Sequence, residues 1–185
     1  NVAPFNFNPL LPPPGTEPGQ WLMKLVDVIK HAYFVGEGVE YILREALDWV
    51  YEQCGFYDGN IQESPTFFKV KDYVYKRRME GRMALWRASA MRVLASLCFR
   101  HGLGPVVNCA EPWDHKRLLN ANVILELDAL SDSDKIFFTE AIILWLYEFR
   151  KHEGKREEFK HALFIEEAHH ILSHIKEHIE GVESI

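Results

Sequence analysis

The sequence predicts an α/β fold, with a helical half at about 1–104 and an α/β half at about 105–185 whose strands run parallel. Three observations carry this expectation. Apolar residues recur at helical spacing through the first hundred residues. Short β-branched or aliphatic runs follow at Val106-Val107, Val123 to Leu127 and Ala162 to Ile165. A long apolar segment lies between the last two of these, so strand, helix and strand succeed one another within about 45 residues, the spacing of a βαβ unit.

Each element has its own signal. The first twenty residues hold six of the nine prolines, which fix φ and remove backbone donors, so an extended strap is expected. Its Phe5, Phe7, Leu10 and Leu11 predict that it lies on a surface rather than floating free. A helix is expected from near Trp21 towards Phe34. From Val39 to Gln53, Ile42, Leu43, Ala46, Leu47 and Val50 repeat at a 3.6-residue period, an amphipathic helix that stops before Gly55. Helices over Thr66 to Arg78 and Met83 to Phe99 follow, separated by Gly81. After Val123 to Leu127, Ser131 or Ser133 caps a helix running to about His152. That helix is apolar nearly all round, which predicts burial on more than one side. A last helix is expected after Ile165.

Composition narrows the function classes. Apolar residues make up 48% of 185, too many for a disordered chain and enough for one sizeable core. The longest apolar stretch, Ala141 to Tyr147, is far short of the roughly 18 residues of a membrane span, so no membrane partner is expected. There is no charged-then-apolar leader with a cleavage site, and Cys54, Cys98 and Cys109 form no C-x-x-C pair. A reducing, cytoplasmic location follows as the expectation. The first residue is Asn1 rather than Met, and the chain is expected to be a piece of a longer protein.

Charge is unevenly spread. The net charge is −6, yet Lys69 to His101 holds nine basic residues against two acidic ones, Asp72 and Glu80. That window carries +7 and leaves −13 for the rest, a pattern expected of a basic surface on an acidic body. At 100° per residue, one continuous helix does not gather the arginines into a single stripe. A phosphate-tracking surface and a solvated helical hairpin both stay open at this point.

The segment richest in chemistry is HALFIEEAHHIL, His161 to Leu172, in which four apolar residues end in Glu166-Glu167. Ligands of open α/β sheets bind beyond the carboxyl ends of strands, where these carboxylates would stand. The segment resembles a Walker B motif. Together with NVILELDALSDSDKIFFTEAIILWLYEFRK before it and FNPLLPPPG near the start, it looks like the HerA-type ATPases of the HerA/FtsK superfamily, P-loop DNA-translocating ATPases. The resemblance covers most of the chain and is most specific over 123–172.

That resemblance implies a partial P-loop NTPase (RecA-like) core carrying a helical insertion subdomain. It implies an ATP-hydrolysing DNA translocase or helicase in DNA end processing and repair, working as a hexamer on double-stranded DNA with a nuclease as partner. ATP and Mg²⁺ would be its cofactors. Glu167 would act on the attacking water, Glu166 would hold Mg²⁺ through water, and Asp128 would stand on the phosphate side. Arg77, Arg78 and Arg82 would contact DNA. Glu166 departs from the usual Asp, and no G-x-x-x-x-G-K-[ST] occurs, the only Gly-Lys being Gly154-Lys155. Walker A is expected upstream of Asn1, and this piece alone is expected to be inactive.

Two alternatives belong to other classes. One is a non-catalytic helical interaction domain in which Glu166-Glu167 is a solvated helix start. The other is a metal-binding helical protein using His170, His174 and His178, spaced i, i+4, i+8 beside Glu166 and Glu167.

Overall fold

A computed structural model of the chain describes residues 5–112, 114, 118–153, 159–160, 162–166 and 168. The helices described along their whole length are α1 (Pro18–Tyr33), α2 (Glu37–Gln53), α3 (Phe67–Lys76), α4 (Arg82–Leu97), α5 (Gly104–Val107) and α6 (Asp132–Glu153). The chain forms two compact units, Asn1–Gly154 and Lys155–Ile185, and these helices belong to the first.

The parallel-strand α/β expectation is overturned: the described residues contain no strand and no sheet, and the fold is helical. With the sheet goes the partial RecA-like core that the resemblance implied. Val106 and Val107 lie in α5, because Pro105 in the first helical turn has no N–H to leave unsatisfied and its fixed φ suits a helix start. Val123 to Leu127 is irregular; Val123 to Glu126 are exposed, Ile124 at 89%, and only Leu127 is half-buried against the core. β-propensity is a preference for packing on a pleated surface, and without a neighbouring strand it fixes nothing. Ala162 to Ile165, in the second unit, is likewise irregular, with Phe164 90% exposed. The last helix expected after Ile165 lies outside the described residues.

The helices follow their apolar periods. α1 buries Trp21, Leu22, Leu25, Val26, Ile29 and Ala32 on one stripe. It starts at Pro18 because the Glu17 carboxylate accepts from the N–H groups of Gly19 and Gln20, and it ends at Phe34, in the left-handed region at φ 51°. α2 buries Val39, Ile42, Leu43, Ala46, Leu47, Val50 and Tyr51 and is the hub, packing on α1, α3 and α4. Gly38 lets α4 come close, since a Cβ there would overlap the Trp86 ring at 2.2 Å.

α6 is buried on more than one side, as its composition predicts. It packs on α1, while Phe138 meets the strap edge-on through Phe5 and Phe7, and Phe137 meets Phe67 at 6.0 Å. The strap is fastened by polar bonds that replace the ladder its prolines forbid. Asn8 Nδ2 donates to Pro65 O and Cys109 O, Asn8 Oδ1 accepts from Leu10 N, Trp21 Nε1 donates to Pro9 O, and Tyr51 Oη donates to Leu10 O.

Candidate functional site

Two sets of charged groups in the helical unit are put to different use. The first set faces inward, between α1 and α6. These helices run antiparallel and match three carboxylates of α6 with three partners on α1. Lys24 Nζ meets Glu148 Oε1 at 2.5 Å, His31 Nδ1 meets Glu140 Oε1 at 2.7 Å, and Tyr33 Oη donates to Asp134 Oδ1 at 2.5 Å. Ser96 of α4 donates to the same Asp134 oxygen at 2.8 Å. The Lys24 ammonium holds the Glu148 carboxyl below its ordinary pKa. Burial pushes Glu140 up, against the pull of His31, and burial with the Asp134 carboxylate pushes the Tyr33 phenol up. Helical periodicity gives no sign of this ladder; its signal in the sequence is Glu140 and Glu148 interrupting the apolar run from Ile136 to Phe149, with Asp134 just before it.

The second set is the basic window, which forms the α3–α4 hairpin. Thr66 caps α3, its Oγ1 accepting from Lys69 N, and Gly81 at φ 58° turns the chain into α4. Three of the nine basic residues brace the hairpin from within. Arg77 pairs with Glu45 of α2 and donates to Tyr73 Oη, and the Glu45 carboxylate raises the Arg77 pKa above its usual value. Arg87 donates to Val74 O and Tyr75 O, closing the carboxyl end of α3. Lys69 reaches Ser64 O at 2.9 Å and Glu63 at 2.7 Å.

Of the remaining cations, Lys76, Arg78, Arg82, Arg92 and Arg100 are exposed and Lys71 is half-buried. Lys76 and Arg78 touch only the exposed carboxylates Asp72 at 3.8 Å and Glu80 at 3.4 Å, pairs that water exchanges easily. Lys71, Arg82 and Arg100 have no carboxylate within ion-pair distance among the described residues. Apolar rings are interleaved with these charges. Phe68, Lys71 and Tyr75 recur at helical spacing along the outer side of α3, with Phe68 51% and Tyr75 67% exposed, while Phe67, Val70 and Val74 fill the opposite, buried side. Arg87 lies 5.9 Å over the Tyr75 ring.

Arg92, on another side of α4, bonds Ser89 and lines a cleft with Tyr33, Ser96, Ser131 and Ser133. Two of the residues lining that cleft, Tyr33 and Ser96, donate hydrogen bonds to Asp134.

Among the described residues no strand stands ahead of the residues singled out for ATP chemistry. Glu166 is exposed in a turn, and Glu167 lies outside the described residues, as do His170, His174 and His178. Asp128 is exposed in a turn closed by Leu130 N and Leu127 O, and of the two serines expected to cap α6 it is Ser131 that does so, its Oγ accepting from Asp134 N. Among the described residues no group of three His, Cys, Asp or Glu side chains is placed to hold a metal ion, and no helix is long and apolar enough to cross a membrane. Of the three arginines expected to contact DNA, Arg78 and Arg82 are outward and Arg77 is engaged with Glu45. No family model, curated protein or solved structure matches this chain.

Proposed function

We propose that the chain is a non-catalytic helical interaction domain whose α3–α4 hairpin receives the phosphate backbone of a nucleic acid. The observation that carries this is the sorting of one basic window. Lys69, Arg77 and Arg87 are spent on internal bonds, whereas Lys76, Arg78, Arg82 and Arg100 are exposed and Lys71 is half-buried on the same hairpin as the exposed rings of Phe68 and Tyr75, with Asp72 and Glu80 as the only acids of the window. Cations on a scaffold braced by other cations keep their spacing, and each phosphate they neutralise releases condensed counterions. The ATP-driven motor has less support, since its two carboxylates need a strand end to hold them over a phosphate site and Glu166 stands in an exposed turn.

The test is fluorescence anisotropy with labelled duplex and single-stranded DNA over a salt series. Affinity is expected in the range of non-specific binding, Kd about 10⁻⁴–10⁻⁶ M at physiological salt. Replacing Lys71, Lys76, Arg78 and Arg82 together with Ala is expected to flatten the log–log salt slope on duplex by about 0.9 for each phosphate no longer neutralised. An unchanged slope overturns the binding face. ATP hydrolysis by the 185-residue chain, abolished by Glu167→Gln, overturns the non-catalytic assignment.

A further inference from the structure

At the end of the hairpin away from Gly81, a depression of about 370 Å³ is lined by Phe68, Cys98, Arg100, Gly104, Pro105 and Asn108. Its walls are fixed. Pro105 sits in the first turn of α5, and a Cβ on Gly104 would stand 2.6 Å from Phe99 O, so no side chain can grow from that point. Asn108 is fully occupied as a donor, its Nδ2 bonding Leu97 O and Gly104 O at 2.9 Å each, while its Oδ1 accepts from Phe67 N at 2.6 Å. Burial raises the Cys98 thiol to about 11, which leaves it neutral and makes it an apolar wall. Phe68, half-exposed, and Arg100, exposed, both line the depression.

Such a site asks for a flat apolar ring joined to negative charge. A ring is held by stacking on Phe68, which needs no hydrogen-bond complement, and the depression offers little of one beyond the donors of Arg100. The charge is met by Arg100 and by Lys71, one turn along α3 from Phe68, with Asp72 beside Lys71 drawn towards Lys76. We propose that this depression seats an unpaired nucleobase, so that the hairpin prefers single-stranded nucleic acid to duplex. In a duplex the base faces are already stacked on one another and cannot reach Phe68. This rests on the phosphate-binding reading of the same hairpin and goes further by naming the strand state and the residue that recognises it.

The experiment compares the full chain with its Phe68→Ala and Phe68→Trp variants, using a labelled oligothymidine, a blunt duplex of matched phosphate number, and polyglutamate. Circular dichroism serves as the folding control. The wild type is expected to bind the single strand more tightly than the duplex. Phe68→Ala is expected to weaken single-strand binding about 5- to 150-fold, the range for loss of one base–aromatic stack, while duplex binding and its salt slope stay as they were. Phe68→Trp is expected to restore binding, and its added fluorescence is quenched by oligothymidine but not by polyglutamate. Equal single-strand affinity of wild type and Phe68→Ala, with salt-dependent binding retained, removes the base seat and leaves the phosphate face standing. No salt-dependent binding of either DNA removes both. Polyglutamate that displaces the oligonucleotide and perturbs the Phe68→Trp signal equally well makes the partner an acidic protein and overturns the proposal.

Discussion

The α1–α6 interface and the α3–α4 hairpin both carry many charged residues and put them to opposite use. Between α1 and α6 the charges are turned in and matched, Glu148 to Lys24 and Glu140 to His31, so that a carboxylate only 3% exposed is retained in an apolar interface. On the hairpin, cations outnumber acids, and the surplus faces water. A buried charge without a partner costs several kcal/mol, whereas an exposed one costs almost nothing. Matched charge therefore marks what holds the fold, and unmatched charge is what the proposed phosphate-binding face would use.

The inward-matched region breaks most severely where it is most apolar. Phe137 is fully buried against Phe67 and Tyr33, and Phe137→Ala is expected to cost about 3–5 kcal/mol in urea unfolding. A loss below about 1 kcal/mol would mean that α6 is not docked as described.

The carboxylates of α6 set the two regions further apart through pH. Glu148, held below its ordinary pKa by Lys24, contributes stability that is present above the unfolded carboxylate range and is lost as pH falls through its lowered folded value. Glu140, raised by burial, acts the other way: its contribution is present in acid and is lost as pH rises through its raised folded value. Thermal melts at pH 7 are expected to fall for Glu148→Gln and to rise or hold for Glu140→Gln, with both differences shrinking near pH 3. Two shifts of the same sign at pH 7 would refute the assigned environments.

Three gentler changes separate bracing cations from outward ones. Arg77→Ala is expected to cost about 1 kcal/mol, through Glu45 and Tyr73, while Arg78→Ala and Arg82→Ala stay within about 0.5 kcal/mol. Equal costs for all three in urea unfolding would erase the distinction on which the binding face stands.

What is legible in the sequence follows the range of the interactions. Helical periods in α2 and α6 are local, written in Ile42, Leu43, Ala46, Leu47 and Val50 or in the run from Ile136 to Tyr147, and the structure follows them. The strap is legible because proline limits the backbone wherever it stands. The runs at 106–107, 123–127 and 162–165 mislead because a β-branched stretch states only a preference, and its fate depends on whether another strand lies alongside. Within the candidate site, the charge excess is legible as a count. Which cations are left outward is not, because Glu45, Val74 O and Tyr75 O reach Arg77 and Arg87 across the tertiary fold. The depression beside Phe68 leaves no periodic signal at all, as its walls come from α3, the end of α4 and α5.

Whether the hairpin, and not the α1–α6 face, meets the partner is read out by amide hydrogen exchange of the full chain with and without saturating oligothymidine, since exchange reports each helix separately. Added protection is expected over residues 67–82 and 98–108 and none over α1 and α6. Protection centred on α1 and α6, or no change in α3 at saturating oligonucleotide, would contradict the assignment of the hairpin as the binding face.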